Sequence, residues 1–146
     1  MGFEALNGMA PYVQTQEQAD AFDCRGLKDS LRALAATNIK KTGGGGSSDT
    51  SEIWREAETS ADFLRDEIAV MEPDIVLCGG TFGAFTAAQG SAPSCLRCSS
   101  GAGYLKEGGV LYVDLPHPGV RVSEQVLYAY FRETILDLVA RGLLSL

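Results

Sequence analysis

Pro73-Asp74-Ile75-Val76-Leu77-Cys78-Gly79-Gly80 is the stretch that most limits the fold. A proline stops the helical pattern before it, a continuous apolar run follows, and paired glycines end it. An unbroken apolar run of strand length belongs to a parallel strand buried on both faces, not to the alternating strand of a half-solvated sheet. Such a strand needs helices packed against it, so the run points to an α/β domain.

The flanking segments fit that expectation. Gln16 to Leu34 reads as a helix weakened by Gly26, after an irregular lead-in over residues 1–14. Ala33 to Ile39 reads as a short buried strand, and Gly43 to Ser48 as a loop. Asp49, with Glu52 three residues on, has the form of a capping box. It opens a helix whose apolar face is Ile53, Ala57, Phe63 or Leu64, Ile68 and Met71. Thr81 is placed to cap a short helix ending at Ala88, and Gly90 to Gly109 reads as an excursion without periodicity. Val110 to Leu115 is the next strand, cut by Pro116 and Pro118. Ser123 caps a last helix with Val126, Tyr130, Ile135, Leu138 and Val139 on its buried side. The expectation is one domain over residues 1–146, a three-layer α/β/α sandwich with a mainly parallel central sheet.

Composition excludes some function classes. The 146 residues are 45% hydrophobic and 21% charged, as in ordinary globular domains. No apolar run approaches the roughly 20 residues of a membrane span. The start, Met1-Gly2-Phe3-Glu4-Ala5, lacks the basic and apolar blocks of a signal peptide, so a cytoplasmic location is expected. The net charge of −7 counts against non-specific attraction to phosphate backbones, although Arg25, Lys28, Arg32, Lys40 and Lys41 group in the first third. Cys95 and Cys98 have the spacing of half a zinc site without a second pair, so the four cysteines read as reduced thiols. Neither a metal nor another cofactor is expected.

Polar function gathers at the expected strand ends, where open α/β sheets collect ligands. Asn38 presents a donor and an acceptor in fixed relation, which suits the amide edge of a pyrimidine; capping the turn after its strand is the alternative. Gly43–Gly46 is a phosphate cradle or a linker, and it lacks the Gly-Lys-Ser/Thr ending of a P-loop. His117, the only histidine, stands between two prolines, either as an oxyanion donor or as a surface residue of a proline turn. Arg121 suits a phosphate or carboxylate, or simple solvation.

Thr37-Asn38-Ile39-Lys40-Lys41, Pro73 to Gly80 and His117-Pro118-Gly119 together resemble, in order and spacing, motifs of the uracil-DNA glycosylase superfamily. Lys40-Lys41-Thr42-Gly43-Gly44 before a helix is similar to small members of that superfamily. The resemblance runs from about Ala33 to the C-terminus. It implies a glycosylase-like hydrolase that flips uracil or a damaged base out of DNA and cleaves its N-glycosidic bond. In it Asn38 reads the base, His117 stabilises the departing anion, and Lys40, Gly79 and Arg121 contact substrate. The family's first motif, with its water-activating carboxylate, is not found before Asn38, and Gly119 stands where serine is usual. The family's cysteine ligands are not reproduced. The chain therefore reads as lacking the N-terminal β-α unit, with a weak or inactive enzyme as one outcome. A non-catalytic module binding a nucleobase, nucleotide or DNA is the alternative, and a small-molecule hydrolase or transferase a third. A missing edge unit would expose a strand, which predicts a homodimer.

Overall fold

In the computed structural model the chain divides into two compact units, Met1–Thr37 with Leu146, and Asn38–Ser145. The structure describes residues 34–40, 49–90, 96–117 and 119–145. The expectations for residues 1–33 and for the Gly43–Ser48 loop fall outside them, as do Lys41, Thr42, Cys24, Cys95 and Pro118.

The second unit is mixed α/β. Its elements are α1 (Thr50–Thr59), α2 (Ala61–Met71), β1 (Ile75–Gly79), α3 (Phe82–Ala88), β2 (Leu96–Arg97), β3 (Gly103–Glu107), β4 (Val110–Leu115) and α4 (Glu124–Ala140). The strands form one sheet in the order β1-β4-β3-β2. β1 and β4 are parallel, with Ile75 opposite Leu111 and Gly79 opposite Leu115. The other two pairings are antiparallel, so the mainly parallel expectation is corrected. The excursion expected over Gly90–Gly109 holds the missing strands. Gly108 and Gly109 both take positive φ (58° and 88°) between Glu107 and Val110. This is the backbone of a two-residue hairpin turn matched to strand twist.

A second correction concerns Ala33–Ile39, since residues 34–40 form no strand. Leu34 and two alanines offer little surface for a pleat, and alanine is a poor strand former. Ile39 is anchored, packing on the cluster of Leu64, Cys78, Phe82 and Phe85. That cluster includes Val76, Leu105 and Tyr112 from one sheet face. The expected long helix is two. Thr59 turns its hydroxyl back to the Arg55 carbonyl (2.9 Å), a local bond that competes with the helix ladder. Ser60 closes α1 and precedes α2. Trp54 of α1 lies over Gly83 of α3, where a Cβ would stand 3.4 Å from the indole ring. Glu72, with φ 44°, ends α2 immediately before Pro73.

Helix α4 begins as expected, the Ser123 hydroxyl accepting from the Val126 amide (3.3 Å). It ends at Gly142 (φ 68°), with Leu143 N–H donating to Leu138 and Gly142 N–H to Val139, a Schellman closure. Thr134, Ile135 and Leu138 are its buried residues, while Val126, expected inside, is 57% exposed. The Arg141 guanidinium lies 5.8 Å from the centre of the Tyr104 ring. Tyr104 is opposite Val113, so this contact ties the end of α4 to the strands. No helix among the described residues is long and apolar enough to cross a membrane.

Candidate functional site

The parallel pairing of β1 and β4 brings their C-terminal ends together, as ligand sites in open α/β sheets require. Gly80 N–H extends the ladder to the Leu115 carbonyl (2.7 Å). Gly80 has φ 69°, and a Cβ there would lie 3.0 Å from the His117 Cβ. Both the left-handed backbone and the close approach call for glycine. Thus the strand-end glycines and His117, thirty-seven positions apart, are neighbours.

His117 is exposed and fixed by its own turn. Its carbonyl accepts from Val120 N–H (2.9 Å), and its Nδ1 accepts from Gly119 N–H (2.9 Å). A neutral imidazole accepting at Nδ1 carries its proton on Nε2, which leaves one donor for a ligand. Gly119 has a physical role here. A Cβ at that position would stand 3.1 Å from Nδ1 and 3.2 Å from Cε1, tight enough to push the ring off its amide.

The other sequence-predicted residues are placed separately. Asn38 is exposed, between Thr37 and the anchored Ile39. Lys40 is not a free cation: its ammonium donates to Glu52 Oε1 at 2.5 Å, with the two side chains 14% and 29% exposed. Glu52 therefore does not complete the capping box. Asp49 does cap α1, accepting from Glu52 N–H (2.7 Å). The Ser51 hydroxyl and the Glu52 amide, both bonded to Asp49, hold its carboxyl below the usual carboxylate range. Gly79 lies in the β1–β4 ladder, and Arg121 is exposed between the His117 turn and α4. No hydrogen bond or ion pair among the described residues joins Asn38, Lys40 or Arg121 to His117.

Sequence reasoning passed over Asp114. It is half-buried on β4, three residues before His117 and opposite Cys78. Burial raises its carboxyl above the usual range, and the charge of Arg97 opposes that rise in part. The signal was a single acid inside Val-Leu-Tyr-Val-Asp-Leu, an otherwise uncharged strand. Burial first, and then the Asp114 charge, push the Cys78 thiol up to about 12, so it is no thiolate nucleophile. Among the described residues no three His, Cys, Asp or Glu side chains converge on a metal position.

A cavity of about 320 Å³ lies at the opposite end of the strands, around Val110. Ile68, Leu105 and the stacked pair Phe85 and Tyr112 line it, with Arg65 and Gln89 bonded to each other at 2.6 Å. Glu107 lies on its lining as well; the strand-end junction instead brings His117 against a glycine backbone. Searches against protein-family models, curated proteins and solved structures find no match to this chain.

Proposed function

We propose that the junction of Gly79, Gly80 and His117 is a nucleobase site, and that the protein is a uracil-DNA glycosylase-like hydrolase. The observation that carries this reading is the imidazole itself. It stands at the C-terminal ends of two parallel strands with Nδ1 engaged and Nε2–H available. A fixed donor of that kind suits the oxygen of a base leaving as an anion. Asn38 would read the base edge, Gly79 would let it approach the backbone, and Arg121 would meet a DNA phosphate. Lys40, already paired with Glu52, would contribute to phosphate binding only by exchanging partners.

The reading includes a DNA-repair role in the cytoplasm, a three-layer α/β/α arrangement, and no cofactor. It also includes a homodimer joined along β1, the edge strand of the described sheet, where Leu77 is 45% exposed. A monodisperse monomer in light scattering would remove the dimer. The principal test is single-turnover formation of abasic sites in single- and double-stranded uracil oligonucleotides. Loss of one oxyanion donor should slow His117→Ala by roughly a hundred-fold or more. Absence of abasic sites at enzyme excess overturns the enzyme. The missing first-motif carboxylate before Asn38 favours one second reading, a module that binds a nucleobase, nucleotide or DNA without cleaving it. DNA binding without base release would establish that.

A further inference from the structure

We propose that the cavity at the start of β4 binds a neutral, planar aromatic molecule of about two rings that carries one hydrogen-bond acceptor. The site is separate from the His117 junction, and it does not depend on the glycosylase reading. Its first support is volume. Protein interiors close-pack and leave few voids larger than a water molecule. Between α2, α3 and the β3–β4 hairpin the chain leaves about 320 Å³. An apolar cavity of roughly 150 Å³ takes up benzene, so this one has room for a second ring.

The lining selects the shape and polarity of the ligand. Ile68 of α2, Leu105 of β3 and Val110 of β4 contribute aliphatic surface. Phe85 and Tyr112 add two rings stacked 5.3 Å apart with their planes 29° from parallel. Flat aromatic walls make their fullest dispersion contact with a flat ligand. The other polar groups are largely spent on each other. The Thr86 hydroxyl donates to the Phe82 carbonyl (2.8 Å), and Gln89 accepts from Arg65 (2.6 Å) while donating to the Ala61 carbonyl (3.3 Å). Arg65 also pairs with Asp62 at 3.0 Å.

Charge and protonation complete the specification. Arg65 and Glu107 both stand on the lining, with opposite signs. An anion drawn to Arg65 shares the cavity with Glu107, and a cation drawn to Glu107 shares it with Arg65; an uncharged ligand avoids both conflicts. That leaves the Tyr112 hydroxyl as the group to orient the ligand. Burial first, and then the charges of Glu107 and Cys78, hold this phenol above its ordinary value. It therefore keeps its proton and donates, which calls for an acceptor on the ligand.

The experiment is an NMR titration of the full chain with 2-naphthol at neutral pH, beside its charged analogues 2-naphthoate and 2-naphthylmethylamine. Saturable shifts of the Leu105, Val110 and Tyr112 amides, with those of Gly80 and His117 unmoved, are expected for 2-naphthol. Tyr112→Phe keeps the ring and removes the hydroxyl, and it should weaken binding by about three- to ten-fold. Ala69→Trp, an exposed lining position of α2, should fill the space and weaken binding by about ten-fold or more. The proposal falls if 2-naphthol does not saturate, or if its shifts centre on His117. It falls equally if neither variant changes the affinity. Tighter binding of either charged analogue overturns the neutral ligand. Should Ala69→Trp melt early, the shift map and Tyr112→Phe decide. Uracil release is measured separately, so this site and the glycosylase reading stand or fall apart.

Discussion

Where β1 and β4 end, Gly80, His117 and Asp114 leave polar groups exposed or unpartnered, and the backbones press together with little volume. Where β4 begins, Phe85 stacks on Tyr112 at 5.3 Å, apolar side chains line a cavity, and Arg65 is engaged with Gln89 and Asp62. One sheet thus carries a packed end and a polar end. Volume marks the end that packs, and exposed polar groups mark the end of the proposed site.

The comparison breaks first at the packing end. Phe85 is nearly fully buried, and Phe85→Ala should destabilise by about 3–5 kcal/mol in urea unfolding. His117→Ala, an exposed change, should move stability by less than about 0.5 kcal/mol. Equal losses would mean that the two ends are not energetically distinct. Next, Gly80→Ala should cost about 1–3 kcal/mol for its left-handed backbone and shift the His117 ring. Gly90 has φ 73° with open space around it, so Gly90→Ala isolates the backbone part. The excess at Gly80, together with a changed His117 resonance in NMR, measures the close approach. Ser123→Ala should cost about 1 kcal/mol, the usual value of a helix cap, and leave the His117 resonance in place.

Much of this division is visible in the sequence, and the failures have physical causes. The run from Ile75 to Cys78, the Asp49 and Ser123 caps and the proline-bounded β4 all rest on local chemistry and stand where expected, but β1 is an edge strand with Leu77 45% exposed rather than one buried on both faces. The meeting of Gly80 with His117 follows once two such strands pair in parallel. The strand expected over Ala33–Ile39 failed because short apolar runs carry no pairing information. The β3–β4 hairpin was legible in Gly108-Gly109, yet the Ser, Gly and Cys residues before it hid the alternation. Asp114 stayed out of view because its half-burial opposite Cys78 arises only when β1 and β4 pair. The pairing of Lys40 was hidden because Glu52 looked like half of a capping box and instead holds the lysine.

The smallest effect sharpens the comparison most. Burial raises the Asp114 carboxyl in the folded chain, so the native state holds that proton at a higher pH than the unfolded state does. Ionisation therefore costs stability above the folded value. As pH falls from neutral through that value toward the ordinary range near 3.9, this group's contribution to stability rises. Asp49 and Asp137 run the other way. Asp137 accepts from Ser99 N–H at 3.0 Å and from Arg141 at 2.9 Å, and like Asp49 it is held below the ordinary range. Their stabilisation is present above the ordinary value and is lost as pH falls through the lowered one. The two windows do not overlap. Asp114→Asn should remove only the upper one, raising the melting temperature at neutral pH relative to wild type and converging with it toward pH 4. Asp137→Asn should lower the melting temperature at neutral pH and converge with wild type only below the ordinary range, where the lowered carboxyl protonates. A melting temperature for Asp114→Asn that is lower at neutral pH would mean that the carboxylate stabilises the fold, and the site end would lose its distinction from the packed one.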